Sequence, residues 1–166
     1  DEEITPYLFT AGAIGYVIAN NACIAGSTGG CQAEVGSASA MSAAAAVELA
    51  GGTPSQAADA MAIALTNMLG LSCDPVAGLV EVPCITRNAA GASNALTAAW
   101  MAIAGVKSKI PWDEVIEAMY QIGLSMPSAL RETAMGGLAA TPTGKRWKTA
   151  ILGKTQGEHT NSETKP

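Results

Sequence analysis

The chain has 166 residues, of which 49% are hydrophobic but only 4% are aromatic. This length suits one domain or part of one, and the alanine-rich composition favours closely packed helices over strands. The net charge of −5 argues against a nucleic-acid partner, because a phosphate backbone favours clusters of Lys and Arg. The predicted fold class is therefore all-α, a compact bundle of about six Ala-rich helices.

The chain begins Asp1-Glu2-Glu3, without an initiator methionine or a secretory signal. We therefore expect a cytoplasmic subunit or a fragment of a larger protein. Two uncharged stretches, residues 4–33 and 88–106, are long enough to span a bilayer. They consist largely of Ala, Gly, Ser, Thr and Asn, which insert weakly, so we expect buried helices and no membrane partner.

The N-terminal third of the chain predicts two helices separated by a loop. Apolar residues recur at spacings of three and four from Pro6 to Asn21, which is the pattern of a helix with one apolar face. Residues 26–30 are predicted to form a flexible glycine-rich loop that ends at Cys31. The Ala-rich segment from Gln32 to Ala50 is predicted to be a helix whose small side chains let a neighbour approach closely, and Gly51-Gly52 end it.

The clearest local signal in the chain is Thr53-Pro54-Ser55-Gln56, which fits a capping box with proline at the first helical position. It predicts a helix over residues 54–69. Residues 71–85 contain two prolines and are predicted to be irregular. Further helices are predicted over 86–104, 111–125 and 127–135. The polar segment 141–166 is predicted to be a mostly flexible tail, which leaves 1–140 as the helical domain.

Three of the four cysteines, Cys31, Cys73 and Cys84, lie at element boundaries marked by glycine or proline. Their spacing lacks the pair of nearby ligands typical of zinc sites, and nothing favours a disulfide framework. Two interpretations remain open. Either they are buried apolar residues of a helical interaction domain, or three thiolates hold an iron–sulfur cluster whose open iron acts as a Lewis acid. Cys23, near the end of a helical pattern, is predicted to be structural.

Three longer motifs are more specific than the cysteines alone. They are Gly29-Gly-Cys-Gln-Ala-Glu-Val-Gly36, then Cys73-Asp-Pro-Val-Ala-Gly-Leu-Val-Glu-Val-Pro-Cys84 followed by Arg87-Asn88, and finally Met126-Pro-Ser-Ala-Leu-Arg-Glu-Thr-Ala-Met-Gly-Gly-Leu138. With these motifs in this order, the segment from about Gly26 to Gly144 resembles the catalytic α region of the bacterial iron–sulfur-dependent L-serine dehydratases (L-serine ammonia-lyases).

The resemblance implies a 4Fe-4S cluster held by Cys31, Cys73 and Cys84, and conversion of L-serine to pyruvate and ammonia without pyridoxal phosphate. Serine is expected to chelate the open iron through its carboxylate and hydroxyl. A base then removes the Cα proton and hydroxide leaves. The resemblance also implies a homo-oligomer in the full enzyme.

One part of the family pattern has no counterpart in this sequence. Family members carry an additional N-terminal region, in the same chain or in a β subunit, with a Ser- and His-containing motif near the active site. The only histidine here is His159, which is predicted to be a solvated residue of the tail. Asp74, Glu34 and Glu81 lie near the cysteines but do not identify a base. The general base is therefore predicted to lie in the missing region or partner, which leaves this chain incomplete as an enzyme.

The predicted substrate-binding residues lie beside the cysteines. Thr28, Gly29 and Gly30 precede a possible helix N-terminus, where free N–H groups suit a carboxylate; an ordinary turn is the alternative. Arg87 is predicted to bind the substrate carboxylate or, equally, to pair with a nearby glutamate, Glu81 or Glu34.

Two further predictions concern polar residues of the motifs. Asn88 is predicted to contact substrate on the same grounds as Arg87. Arg131 and Glu132 are predicted to form a structural ion pair on a helix.

Overall fold

The computed structural model describes Glu2 and residues 4–153 of the chain. Within them the fold is all-α, as predicted, with seven helices and no strand. The helices are α1 (Ile4–Asn21), α2 (Gly26–Gly29), α3 (Ser37–Leu49), α4 (Pro54–Thr66), α5 (Cys84–Ile103), α6 (Trp112–Ser125) and α7 (Pro142–Leu152). A π-helix at Gln32–Gly36 runs directly into α3, and 3-10 turns occupy Val76–Gly78, Ser128–Leu130 and Gly137–Ala140. Among the described residues, no helix combines the length and apolar character that crossing a bilayer requires.

Helix α3 lies at the centre of the bundle and packs against α1, α4 and α5. Its buried face is built mainly from alanine and serine, so the neighbouring helices approach closely, as the Ala-rich sequence predicts. One core cluster joins α3 to larger side chains of α1, α4 and α6: Ile18, Met61, Leu65, Ile116 and Met119. A second cluster joins α3, α4 and α5 almost entirely through alanine methyl groups. Because each buried methylene-sized group contributes only about 0.8 kcal/mol, stability is spread over many small contacts.

The predicted capping box at the start of α4 is confirmed. Thr53 Oγ1 accepts from the Gln56 backbone N–H, and Gln56 Oε1 accepts from the Thr53 backbone N–H at 2.8 Å. The Gln56 side chain also donates to the carbonyls of Ala102 and Ile103, both at 3.3 Å. The cap therefore fixes the start of α4 and holds it against the end of α5.

Replacing Thr53 with alanine is expected to lower the free energy of unfolding by about 1 kcal/mol, because one donor at the helix start loses its acceptor. Urea denaturation of the purified chain measures this change. Thr97→Ala is the matched control, since Thr97 is exposed and bonds only back to Ser93 within α5. An equal loss in both variants would contradict a specific capping role.

The other predicted helix boundaries agree with the structure to different degrees. Helices α1, α5 and α6 begin and end within two residues of their predicted bounds, whereas α4 ends three residues early. Residues 26–30 are not a loop, because α2 occupies Gly26–Gly29. The predicted helix over 127–135 is wrong beyond the turn at Ser128–Leu130, since the next residues pair with Cys73.

Part of the polar segment predicted to be a flexible tail forms α7. Thr141 Oγ1 accepts from the Gly144 backbone N–H, and Pro142 occupies the first turn, so this helix has its own start signal. Residues 154–166, including His159, lie outside the described residues, and the division into 1–140 and 141–166 stays a prediction.

Candidate metal centre

The three predicted cysteines lie at the ends of different elements. Cys31 precedes the π-helix, Cys73 lies in the irregular segment after α4, and Cys84 is the first residue of α5. All three are buried, with 2%, 3% and 7% of their surface exposed. Cys31 and Cys73 pack together against Val35, so two segments 42 positions apart in the sequence meet at this point.

A tight group of donor atoms forms where these segments meet. The sulfur atoms of Cys31 and Cys73 and a carboxylate oxygen of Glu34 all lie within 4.8 Å of one another. Thiolate and carboxylate are both ligands of transition metals, so this group could hold a metal ion. Glu34 was not among the predicted ligands. Its position three residues after Cys31 in a helical segment is the signal that places both side chains on one face.

The electrostatics of the thiols suit a cationic occupant. Burial raises the pKa of Cys73, and the hydrogen bond and charge of Cys31, together with the charges of Glu132 and Glu34, raise it further. Burial also raises the pKa of Cys84, with added effects from Cys31 and Glu34 that Arg87 partly offsets. Burial, and then nearby negative charges, therefore disfavour the thiolates of Cys73 and Cys84. A metal group among them would relieve that repulsion and release the protons.

The donor chemistry therefore fits an iron–sulfur cluster as well as a single ion. Thiolates are the usual ligands of such clusters. Cys84 lies outside the tight group, yet close enough for the charges of Cys31 and Glu34 to affect its pKa. A single ion would use Cys31, Glu34 and Cys73, whereas a cluster would use the three cysteines.

The side chain of Gln32 and the close approach of Gly26 position Cys31 and Cys73. The fully buried Gln32 donates to the Met119 carbonyl at 2.9 Å, and its side-chain oxygen accepts from the Gly70 N–H at 2.9 Å. This amide therefore ties the π-helix to α6 and to the turn at Gly70 that follows α4. At Gly26, an added Cβ would lie 2.9 Å from both Cys73 Sγ and Glu34 Oε2, so only glycine lets α2 approach the donors this closely. Short π-helical segments of this kind often occur at functional sites.

Arg87 has an anionic partner that the sequence did not predict. Its Nη1 donates to Asp74 Oδ1 and to the Ser72 carbonyl, both at 2.7 Å, and lies 3.7 Å from Cys31 Sγ. Burial alone would lower the pKa of Arg87, but bonding to Asp74 and Cys31 outweighs it and raises that pKa. Neither Glu81 nor Glu34 is the partner. A contact between Arg87 and substrate stays a prediction.

Asp74 connects the cysteines to the segment that follows α6. Besides Arg87, its carboxylate accepts from the Leu138 backbone N–H at 2.6 Å. The adjacent Gly137 has a φ of +57° and packs directly on Asp74, where any side chain would collide with the carboxylate. This explains Gly137 of the third motif, because the chain turns there against a buried carboxylate.

Comparison with known proteins identifies a family for this chain. A family model described as "Serine dehydratase alpha chain" matches residues 1–139. The chain belongs to the serine dehydratase alpha chain family. The match contains all three cysteines, Glu34, and both members of the Asp74–Arg87 pair.

Several relatives of this serine dehydratase alpha chain sequence are longer proteins. The chain is 69% identical to the probable L-serine dehydratase alpha chain of Bacillus subtilis (strain 168), covering 92% of itself and 51% of that protein. It is 66% identical to the probable L-serine dehydratase alpha chain of Latilactobacillus sakei, covering 89% of itself and 71% of the relative. With the L-serine dehydratase alpha chain of Peptoniphilus asaccharolyticus the identity is 56%, over 84% of this chain and 48% of the relative. The chain thus spans about half the length of two of these relatives.

The predicted backbone site at Thr28, Gly29 and Gly30 is arranged differently from the expectation. The N–H groups of Thr28 and Gly29 donate to the Ala25 carbonyl, and that of Gly30 donates to the Gly26 carbonyl. These donors are already used within and around α2, which is too short to present a free N-terminus. Substrate contact by these residues stays a prediction, without support from free N–H groups.

The remaining residues with a predicted role are Asn88 and Cys23. Asn88 donates to the Cys84 carbonyl at 2.8 Å and lines a cavity of about 220 Å³ beside α3, and its substrate role stays a prediction. Cys23 is half-buried against the core cluster around Ile18, in keeping with a structural role.

The predicted ion pair of Arg131 and Glu132 does not form. Among residues 4–153, the ion pair present is that of Arg87 with Asp74. Cys73 forms a parallel β-bridge with Arg131, and the Glu132 N–H donates to the Cys73 carbonyl at 2.7 Å. Glu132 has a φ of +64°, so the segment is extended and sharply turned rather than helical.

Proposed function

We propose that this chain carries the iron–sulfur site of an L-serine dehydratase, an enzyme that converts L-serine into pyruvate and ammonia. The observation that carries the proposal is the buried meeting of Cys31 and Cys73, with Cys84 close by, in a serine dehydratase alpha chain. A four-iron cluster bound through three cysteines keeps one iron free of protein sulfur. The names of the relatives support L-serine as the substrate.

When bound, such a cluster supplies a Lewis acid that polarises the bond between Cβ and the serine hydroxyl oxygen, an effect worth several kcal/mol. The residues of this chain hold and shield that position. Burial of the thiols and the close packing of Gly26 keep bulk water from the sulfur atoms. Asp74 fixes the Arg87 guanidinium, which lies 3.7 Å from the Cys31 sulfur and adds a positive charge beside the site.

The overall reaction removes water from serine and then adds water back. Loss of the Cα proton and the β-hydroxyl leaves an enamine, which tautomerises to an imine, and water hydrolyses the imine to pyruvate and ammonia. We assign the base for the Cα proton to the additional N-terminal region or β subunit, because the described residues include no histidine. The proposed partners are therefore L-serine, that region or subunit, and further copies of the enzyme, in the cytoplasm.

Anaerobic reconstitution with ferrous iron and sulfide tests the proposal. The chain, alone and assembled with the additional region or β subunit, is expected to bind about four irons and about four sulfides. The assembled form is then expected to release pyruvate from L-serine, at a rate that falls when a chelator removes the iron. Visible absorption, iron and sulfide counting, and a pyruvate assay measure these quantities.

Two outcomes would contradict the proposal in different ways. If the folded chain binds no iron in either form, the cysteines are core residues of a helical interaction domain. If the assembled form binds the cluster but does not produce pyruvate from L-serine, the cofactor assignment stands and the substrate assignment is wrong.

A further inference from the structure

Arg131 is a half-buried cation beside the candidate metal centre. Of the basic side chains at described positions, only Arg87 and Arg131 are half-buried, whereas the lysines and Arg146 are exposed. Arg87 has Asp74 as its anion. No carboxylate of the described residues lies within ion-pair distance of Arg131. Burying a guanidinium costs free energy when no anion pairs with it. Arg131 is therefore expected to bind an anion.

The donors of Arg131 are poorly satisfied. Its Nε is buried and has no hydrogen-bond partner among the described residues. Nη1 makes only a 3.5 Å contact to the Thr28 carbonyl, at the outer limit of a hydrogen bond. A buried donor without an acceptor costs free energy, and a carboxylate matches the fork of a guanidinium through two parallel bonds.

The backbone of Arg131 lies beside that of Cys73, at the edge of the donor group. Arg131 pairs with Cys73 in the β-bridge, and paired residues of such a bridge project to the same side. The guanidinium reaches Thr28 on α2, the short helix whose Gly26 packs on the Cys73 sulfur and the Glu34 carboxylate. Arg131 and the donor group therefore both contact α2.

We propose that Arg131, rather than Arg87, binds the carboxylate of the substrate. The inference rests on the proposed function, since it takes L-serine as the ligand. The Nη1 group of Arg87 already donates hydrogen bonds to Asp74 and to the Ser72 carbonyl, so Arg87 is a positioning residue. Arg131 has the unused charge and the unused Nε donor, beside the cysteine that anchors the site.

The test uses the assembled, iron-loaded enzyme and compares L-serine with L-serinamide, which lacks the carboxylate. Arg131→Ala is expected to raise KM for L-serine about 10- to 100-fold, the effect of losing charge-assisted hydrogen bonds, with a smaller change in kcat. Its preference for L-serine over L-serinamide should fall by a similar factor, because the contact of the carboxylate with Arg131 is lost. Added guanidinium ion should restore part of the lost affinity, and Arg131→Lys should lie between wild type and Arg131→Ala because it keeps the charge but not the fork.

Controls separate this role from a structural one. Arg146→Ala removes an exposed arginine of α7 and should leave KM unchanged. The iron content of the Arg131 variants should match wild type, and their thermal unfolding should show no destabilisation. Calorimetric titration with L-serine gives a second readout, in which Arg131→Ala should bind weakly even where turnover is absent.

The proposal is wrong if Arg131→Ala keeps the wild-type KM and its preference for L-serine, or if its defect is loss of iron. A wild-type enzyme that binds L-serine through Arg131 but yields no pyruvate would overturn the proposed reaction and leave the Arg131 assignment in place. A wild type that neither binds nor converts L-serine would overturn both.

Discussion

Replacing Cys31, Cys73 or Cys84 with alanine is expected to remove nearly all bound iron and all pyruvate formation from the reconstituted enzyme. Each change deletes one thiolate of a three-thiolate set, and two thiolates do not hold a cluster of this kind in place. Each variant should still fold, because removing one buried sulfur atom costs only about 1 kcal/mol. Iron and sulfide counting measures the loss, and circular dichroism with thermal unfolding verifies the fold.

Cys23→Ala is the matched control for this series. Cys23 is also a free thiol, but it is half-buried and packs against the core around Ile18 rather than with Cys31 and Cys73. It should keep the iron content of wild type. Equal iron loss in all four variants would mean that general destabilisation, not ligation, explains the effect.

Two further variants distinguish a cluster from a single ion. Glu34 lies in the tight donor group, whereas Cys84 lies outside it. A cluster on three cysteines therefore predicts that Cys84→Ala loses iron and Glu34→Gln keeps it. A single-ion site on Cys31, Glu34 and Cys73 predicts the reverse, and that result would overturn the cluster assignment.

Local sequence signals predicted the fold well because alanine-rich helices are specified by their own residues. The capping box at Thr53 places the start of α4 at the correct residue, and Gly51-Gly52 correctly separate α3 from α4. The end of α4 was less predictable. Residues 67–70 form turns, and Gly70 donates to the side chain of Gln32, a partner 38 positions away that no local pattern contains.

The sequence predicted which cysteines lie at the candidate site, but it did not predict the contacts that hold their surroundings in place. Residues 127–135 have a helical composition, yet Leu130 and Glu132 pair with the backbone of Cys73, and this long-range pairing overrides the local preference. The same holds for the anion of Arg87. Asp74 lies 13 positions away in an irregular segment, and only the folded chain shows that it, not Glu34 or Glu81, is the partner.

Replacing Asp74 with alanine is expected to lower the free energy of unfolding by about 3–5 kcal/mol, the usual effect of removing one partner of a buried ion pair. The Asp74 side chain is 4% exposed and that of Arg87 is 17% exposed, so the guanidinium would be left largely desolvated without its anion. The Leu138 N–H would also lose its acceptor. Because a domain of this size has about 5–15 kcal/mol of stability, the loss would be a large share of the total.

The double variant Asp74→Ala with Arg87→Met separates the charge from the packing. It should be more stable than Asp74→Ala alone, because methionine removes the unpaired cation while filling much of its volume. Asp74→Asn should lie between wild type and Asp74→Ala, since an amide oxygen still accepts from Leu138. Glu117→Gln is the control; Glu117 is an exposed residue of α6, so this change should stay within about 0.5 kcal/mol of wild type.

Chemical denaturation of the metal-free chain gives these free energies without interference from cofactor binding. The prediction fails if Asp74→Ala lies within about 1 kcal/mol of wild type, or if the two single changes add without coupling. Coupling of the expected sign would mean that Asp74 holds together three segments that are far apart in sequence. These are the Cys73 segment, the start of α5 at Arg87, and the turn at Leu138 that follows Arg131. The geometry of both arginines would then depend on a single buried carboxylate.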